Sequence, residues 1–207
     1  MDSLQKKDRF LCMNIRNCLK SGEQDLIGGD ELQEILSDFS SPKNKDVEMF
    51  LKERAVEFTK KQQSVTYLVF SNETLDLAGY FSIAMKPVVI KAEGLSNAVK
   101  RRLDRLSKYD KENGTYTVAA YLIAQFGRNY SSNVTCPING TELMDYAISR
   151  LREIQFQLGG LMVYLECEEK EALLHFYEDK KGFRQFGERM TDQAAEPHKL
   201  LQLMNFL

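Results

Sequence analysis

The sequence has no tryptophan and little proline, glycine, cysteine or histidine: four, 12, four and two residues among 207. So little glycine and proline excludes a collagen-like chain, and a 43% hydrophobic share excludes a wholly disordered one. The cysteines form no CxxC pair and have no histidine at ligand spacing, so neither a disulfide framework nor a zinc site is indicated. We therefore expect no bound metal and reduced thiols at Cys12, Cys18, Cys136 and Cys167.

Long apolar runs are also missing, since none approaches the roughly 20 residues that cross a bilayer. The first ten residues, MDSLQKKDRF, do not have the pattern of a secretory signal. We expect a cytoplasmic protein that does not insert into membranes. With 28 basic and 30 acidic side chains, it has no overall attraction to polyanions, so such a partner needs a local basic patch.

No repeat or linker divides the chain, and we expect one domain over residues 1–207. Residues 1–28 are an N-terminal extension or a first element, because the apolar spacing of residues 4–20 is mostly helical while FLCMNI also suits a short strand. The order of the remaining segments alternates strands with helices, which predicts an α/β fold with a mixed sheet flanked by helices. Residues 116–126 are almost wholly apolar, which predicts a strand buried on both faces.

One candidate binding site is the turn that leads into the helix after this strand. A helix N-terminus offers unpaired N–H groups and the positive end of its dipole, so Ile138, Asn139, Gly140 and Thr141 can hold a phosphate. Asn139 and Glu142 also have the spacing of a capping box, which by itself explains the motif. Both interpretations remain open.

A second candidate lies in HFYEDKKGF, residues 175–183. If Leu173 and Leu174 face the core of this short helix, Phe176 and Tyr177 cannot both join them, and Tyr177 then points at a cleft. A phenol there can donate its proton to a leaving thiolate. Alternatively, the ring packs inside and the hydroxyl reaches water.

Together, FYEDKKGF and the element order resemble the GNAT superfamily of N-acetyltransferases. DFSSPKNKDVEMFLKERA and AGYFSIA are similar to segments of the subset that includes tRNA-acetylating toxins. The resemblance covers about residues 30 to 207. It implies a mixed, mostly antiparallel sheet flanked by helices.

The resemblance also implies a function, the direct transfer of an acetyl group from acetyl-CoA to an amine. The acceptor would be an aminoacyl-tRNA, a polyamine or a protein amine, and the enzyme could act as a homodimer. Backbone groups of Ala124, Gln125 and Phe126 would pair with the pantetheine arm of acetyl-CoA. The turn 138–141 would hold its pyrophosphate, and Tyr177 would be the general acid.

The chain departs from the family at the pyrophosphate signature, Q/R-x-x-G-x-G/A. Only Gly140 of that signature is present, and the loop between Gly127 and Gly140 is lengthened. This departure supports an alternative, a GNAT-fold protein that binds no coenzyme and acts as an interaction module.

Other reactive and charged groups allow further interpretations. Cys136 near a helix N-terminus could be a nucleophile, but neither His175 nor His198 is placed by sequence as its base. The acidic run Glu166, Glu168 and Glu169 is either a solvated strand end or the source of a general base. The basic helix with Arg101, Arg102 and Arg105 is either a solvated face or a tRNA-binding surface, whose affinity would fall steeply with salt.

Overall fold

The structure, a computed structural model, describes residues 9–19, 29–191 and 197–207. Its strands are β1 Phe10–Asn14, β2 Val65–Ser71, β3 Leu77–Lys91, β4 Thr115–Arg128, β5 Met162–Glu168, β6 Arg184–Met190 and β7 Lys199–Phe206. These seven form one sheet in the order β1-β2-β3-β4-β5-β7-β6. The β4–β5 pair is parallel, while β1–β2, β2–β3, β5–β7 and β6–β7 are antiparallel. The predicted mixed, mostly antiparallel sheet is confirmed.

The helices of the described residues are α1 Gly29–Ser37, α2 Lys45–Met49, α3 Ala55–Lys60, α4 Asn97–Leu103, α5 Gly140–Leu158 and α6 Glu171–Leu174. A π-helical turn, Phe50–Arg54, joins α2 to α3, and another, His175–Lys180, continues α6. FLCMNI is mainly strand β1, followed by a 3-10 turn at Ile15–Cys18. Within the expected N-terminal extension, residues 1–8 and 20–28 lie outside the described residues.

The chain divides into two compact units. The first comprises Met1–Ile83 and Ala124–Ser149, and the second comprises Ala84–Ile123 and Arg150–Leu207. β3 and β4 each contribute residues to both units. The single domain expected from the sequence stays a prediction.

The core of the first unit is built on the helical segment 45–60. Its apolar positions recur every three or four residues, and Val47, Phe50, Leu51 and Ala55 are buried against strand residues that include Leu68, Phe70 and Tyr80. The Tyr80 hydroxyl donates a 2.6 Å hydrogen bond to the Val47 carbonyl, and burial raises the Tyr80 pKa well above its usual value. This segment is therefore fixed against β3 by packing and by a buried polar contact.

The second unit has its own core. It contains Val88 and Ile90 of β3, Leu103 of α4, and Tyr116 and Val118 of β4, with further residues from β5 and β7. β7 lies between β5 and β6, and pairs with β5 along the whole of Met162–Glu168. The C-terminal strand thus completes this core.

The prediction that strand 116–126 is buried on both faces is wrong in its first half. Tyr116, Val118 and Ala120 are buried, but Thr117 and Ala119 between them are exposed. The opposite face becomes buried only from Tyr121 onwards, at Tyr121 and Ile123. Alanine is found both inside and at the surface of proteins, so an apolar run containing it does not require two covered faces.

Gly127 near the end of β4 is required by close packing in the first unit. A Cβ at this position would lie 2.5 Å from Val47 Cγ1 and 3.3 Å from Phe39 Cζ. On β3, a Cβ at Gly79 would lie 2.9 Å from the Gly127 carbonyl oxygen. The two strands and the 45–60 segment therefore approach more closely than any side chain at these positions would allow.

We expect Gly127→Ala to lower the free energy of unfolding by about 1 to 3 kcal/mol, because the added methyl overpacks the contact with Val47. In a Val47→Ala background the methyl has room, so the same substitution should cost less. Urea denaturation of the four proteins in this double-mutant cycle measures the coupling. Equal costs in both backgrounds would contradict the packing described here.

Candidate active site

The end of β4 is the first part of the candidate site. β4 pairs with β5 at Tyr121, Leu122 and Ile123, and the strand then runs on to Arg128. The three residues predicted to bind pantetheine, Ala124, Gln125 and Phe126, lie in this continuation and are half-buried. They therefore lie near the C-terminal end of β4, and their contact with pantetheine stays a prediction.

Asn129 fixes the point at which β4 ends. Its side chain is 7% exposed, and its Oδ1 accepts hydrogen bonds from the backbone N–H of Ser40, at 2.9 Å, and of Ser131, at 3.0 Å. Its Nδ2 donates to the Leu77 carbonyl at 2.8 Å, and its backbone N–H donates to the Ala78 carbonyl at 2.9 Å. One buried amide therefore joins β3, β4, the segment after α1 and the loop that follows.

The loop from β4 to α5 is also held by Asp76. Asp76 Oδ2 accepts hydrogen bonds from the Thr135 backbone N–H at 3.1 Å and from the Thr135 hydroxyl at 2.8 Å. The Thr74 hydroxyl donates to the same oxygen at 2.8 Å. These bonds, those from Thr135 first, lower the pKa of Asp76, so the carboxylate stays charged and keeps the loop in place.

The N-terminus of α5 has the predicted capping box. Asn139 Oδ1 accepts from the Glu142 N–H at 2.9 Å, and Glu142 Oε2 accepts from the Asn139 N–H at 3.2 Å. Gly140 begins the helix and is not among the glycines with positive φ. A larger residue at Gly140 would therefore act through its bulk alone.

Arg9, which precedes β1, brings a cation to the same helix end. Its Nη1 donates to Glu142 Oε1 at 3.0 Å, and its Nη2 donates to Cys136 Sγ at 3.7 Å. The contact with Cys136, followed by that with Glu142, raises the pKa of Arg9. Cys136 is thus half-buried beside a cation, and this site includes a residue far away in sequence that no local motif could have identified.

Tyr177, the predicted general acid, lies in the second unit. Its ring is 8% exposed and packs edge-on against Phe183, with the centroids 6.2 Å apart. Leu173, Leu174 and Phe176 are only half-buried, so the premise that both leucines face the core is wrong. The π-helical turn over His175–Lys180 changes the side-chain spacing from that of an α-helix, and Tyr177 is the residue that it buries.

Burial is also what sets the acidity of this tyrosine. The pKa of Tyr177 is raised far above its usual value by burial, with a smaller contribution from Cys167. The phenol is therefore protonated at neutral pH. In this state it can donate a proton.

The acidic run at the end of β5 is neutralised by cations. Arg189 Nε lies 2.8 Å from each carboxylate oxygen of Glu166. Glu168 pairs with Lys170, and Glu169 pairs with Lys199. These contacts favour a solvated strand end over a general base.

The basic helix is α4 together with the turn after it, and Arg101, Arg102 and Arg105 are all exposed there. The Arg102 guanidinium lies over the Phe206 ring, 4.9 Å from its centroid. Arg102 therefore already has an aromatic partner, whereas the other two arginines extend from the surface.

The predicted residues thus fall into two groups. Those assigned to the coenzyme lie in the first unit, at one strand end and one helix start: Ala124, Gln125, Phe126, Ile138, Asn139, Gly140 and Thr141. Tyr177 lies in the second unit with Cys167 and Phe183. In the part of the chain that the structure describes, no three His, Cys, Asp or Glu side chains are grouped to hold a metal ion. No helix there is long and apolar enough to cross a membrane.

Comparison with solved structures shows a GNAT-like fold, as the sequence resemblance implied. No sequence-family model matches the chain, and no curated protein matches it in sequence. The similarity is to solved structures of the toxins AtaT and KacT. At 11 to 14% identity, it shows the fold alone.

Three of these structures illustrate the similarity. AtaT complexed with acetyl-methionyl-tRNAfMet has a TM-score of 0.59 and 12% identity, over 93% of either chain. A tyrosine-to-phenylalanine mutant of KacT has a TM-score of 0.58 and 14% identity, over 96% of this chain and 95% of KacT. A tyrosine-to-phenylalanine mutant of AtaT, bound to the C-terminus of the antitoxin AtaR and acetyl-CoA, has a TM-score of 0.56 and 12% identity over 96% of this chain and 94% of AtaT.

Cys167, whose charge would act on Tyr177, should be a poor nucleophile. Burial first, then Glu178 and Glu168, raises its pKa from an ordinary 9.0 to about 11, which leaves about 100-fold less thiolate at pH 8. We expect iodoacetamide at pH 8 to label Cys136 well before Cys167, as measured by peptide mass spectrometry. Because folding raises the pKa of Cys167, this thiol contributes to the free energy of unfolding below pH 9. The contribution is lost as the pH rises towards 11. Equal labelling rates for the two thiols would contradict this assignment.

Proposed function

We propose that the protein is an acetyl-CoA-dependent N-acetyltransferase. The single observation that carries the proposal is the arrangement of β4 and α5 on a GNAT fold. β4 runs past Ile123, its last residue paired with β5, and the chain then enters α5 through a capped turn. A strand end with open backbone groups and a helix N-terminus are what an extended, phosphate-bearing coenzyme needs.

In this proposal, the pantetheine arm adds to the strand end. Backbone groups of Ala124, Gln125 and Phe126 form hydrogen bonds with its two amides, as in a β-ladder. Asn129 and Gly127 hold this stretch in position, through the amide contacts and the close packing described above. Catalysis then depends on orientation, since two bound reactants are held in line.

The pyrophosphate is proposed to lie at the N–H groups of Ile138, Asn139, Gly140 and Thr141. In the structure the Asn139 N–H is bonded to Glu142, so this carboxylate must withdraw for a phosphate to use that donor. Arg9, already 3.0 Å from Glu142, offers a cation at the same helix end. Coenzyme binding would therefore exchange one anion at the helix N-terminus for another.

The proposed chemistry is direct transfer. The amine nitrogen attacks the thioester carbonyl, a C–N bond forms, and the C–S bond breaks as the thiolate leaves. The backbone N–H groups of the strand end stabilise the charge that develops on the carbonyl oxygen. Tyr177, which is protonated at neutral pH, gives its proton to the thiolate, and the proton lost by the amine goes to water.

The acceptor we propose to test first is an aminoacyl-tRNA, because AtaT is observed with acetyl-methionyl-tRNAfMet on the same fold. Polyamines and protein amines remain the other acceptor classes. If the acceptor is a tRNA, the exposed Arg101 and Arg105 would contact its phosphate backbone. The Arg102 guanidinium already lies over the Phe206 ring.

A second function is favoured by one specific observation. The capping box and Arg9 already satisfy groups at the α5 N-terminus, and most of the pyrophosphate signature is missing. A GNAT-fold protein that binds no coenzyme would have no need to open this cap. Such an interaction module would show no affinity for acetyl-CoA.

The coenzyme assignment is tested by Gly140→Val. The valine side chain should obstruct the approach of a phosphate to the turn, so we expect the Kd for acetyl-CoA to rise about tenfold or more. Since Gly140 has a helical φ, the melting temperature should stay within a few degrees. Gly140→Ala is the matched control and should have a smaller effect. Unchanged affinity in the valine variant would place the phosphates elsewhere.

The catalytic assignment is tested by Tyr177→Phe, which removes one oxygen and keeps the ring packing. We expect kcat to fall by about 10² to 10⁴, with KM for acetyl-CoA nearly unchanged, because the proton is donated only as the thiolate leaves. Release of free coenzyme thiol measures turnover. Tyr164→Phe is the control, since Tyr164 is another buried tyrosine of the second unit, with a pKa raised to about 12 by burial. A Tyr177→Phe enzyme with more than half the turnover would leave Tyr177 as a packing residue.

A further inference from the structure

The connection between β3 and β4 in the second unit is strongly basic. The segment from Lys86 to Glu112, which comprises the end of β3 and most of this connection, contains eight basic and four acidic residues, whereas the whole chain has a net charge of −2. We call its basic side chains the β3–β4 basic surface. They are Lys86, Lys91, Lys100, Arg101, Arg102, Arg105, Lys108 and Lys111.

The cations of this surface are not neutralised by neighbours. Within the described ranges, none of the eight forms an ion pair, and all but the half-buried Lys100 are exposed. Elsewhere the basic residues often have carboxylate partners, as in Lys52 with Glu48 or Lys199 with Glu169. The uncompensated charge is thus concentrated on one connection.

Two of the four acidic residues are used inside the connection. Asp104 accepts a 2.9 Å hydrogen bond from the Tyr116 hydroxyl. Asp110 accepts bonds from the Glu112 and Asn113 N–H groups and from Asn113 Nδ2, which lower its pKa. These carboxylates shape the connection and hold the turn at residues 110–113.

A depression of about 310 Å³ opens beside this turn, within the second unit. Its lining is Lys91, Ala92, Glu93, Lys100, Tyr109, Asn113 and Gly114, so two lysines outnumber one carboxylate there. Tyr109 is 38% exposed, and its ring lies 5.1 Å from that of Tyr116, which supports it from one side. An aromatic face between two lysines is therefore presented to solvent.

We propose that the β3–β4 basic surface binds single-stranded nucleic acid. One unpaired nucleotide enters the depression, its base stacks on Tyr109, and Lys91 and Lys100 contact the flanking phosphates. Met85 and Val89 of β3 are exposed apolar side chains beside these cations, so a lipid surface is the rival occupant. The concave site with an aromatic ring in its lining favours a nucleotide. The proposal rests on the proposed function in one respect, since an acceptor amine carried by RNA would approach the enzyme through this surface.

The test is fluorescence anisotropy of the full chain with a labelled single-stranded RNA of about 12 nucleotides over a series of NaCl concentrations. Wild type should bind, with an affinity that falls as salt rises. Lys91→Gln with Lys100→Gln should weaken binding and reduce the slope of log K against log salt by about 2, one for each phosphate contact. Tyr109→Leu should weaken binding about five- to 150-fold with the slope kept, because it removes one stacked base.

The matched control is Lys43→Gln with Lys60→Gln, which removes the same charge from exposed positions of the first unit. It should bind RNA as wild type does. Equal loss in this control, or no RNA binding by wild type at low salt, would overturn the proposal. So would binding to phosphatidylserine vesicles without binding to RNA, which would assign the surface to a membrane.

Acetyl-CoA titration of the same variants separates this proposal from the proposed function. Variants of the β3–β4 basic surface should bind acetyl-CoA as wild type does. If the protein binds RNA but not acetyl-CoA, the proposed acetyltransferase function is wrong and the proposed RNA-binding surface still stands. Acetyl-CoA binding without RNA binding would refute the surface alone.

Discussion

The buried amide of Asn129 is the contact on which the candidate coenzyme site depends. It satisfies two backbone N–H groups and one carbonyl from three separate segments, at the residue where β4 ends. Removing it would deprive the buried Leu77 carbonyl of this partner, at a cost of about 1 to 3 kcal/mol, and would also release the partly buried N–H groups of Ser40 and Ser131. Every residue assigned to the coenzyme lies either just before Asn129 in β4 or beyond it at the start of α5. One side chain, Asn129, therefore fixes where β4 ends and the direction in which the following loop leaves it.

The sequence predicted the features that depend on neighbouring residues, and it did not predict those that depend on residues far apart in the chain. The β-branched and aromatic content of VTYLVF and the apolar stripe of the segment 45–60 are local, so β2 and these helices were predictable, as was the Asn139 and Glu142 cap. The position of β7 between β5 and β6 was not predictable, because strand order depends on pairing between distant residues. The same holds for Arg9, which is 133 residues away from its partner Glu142. The motif singled out Tyr177 and left open whether its ring packs inside; the ring is buried, in a π-helical turn whose departure from ordinary helical spacing the sequence did not indicate.

Two features of the α5 N-terminus act in opposite directions. The helix dipole and Arg9 favour an anion, yet the Glu142 carboxylate already lies there and satisfies the Asn139 N–H. An acetyltransferase requires that the coenzyme phosphates compete successfully with this carboxylate. The lengthened loop allows such an exchange without disturbing the fold, since Asp76 holds it at Thr135 and Asn129 holds it at Ser131. A module without coenzyme would simply keep the cap closed.

The most direct test is a crystal structure of the chain soaked with acetyl-CoA. The account predicts pantetheine amides hydrogen-bonded to the backbone between Ala124 and Phe126, and the pyrophosphate at residues 138–141 with Glu142 moved off the Asn139 N–H. A coenzyme bound elsewhere, or no density at millimolar acetyl-CoA with the Asn139 and Glu142 cap intact, would contradict the account.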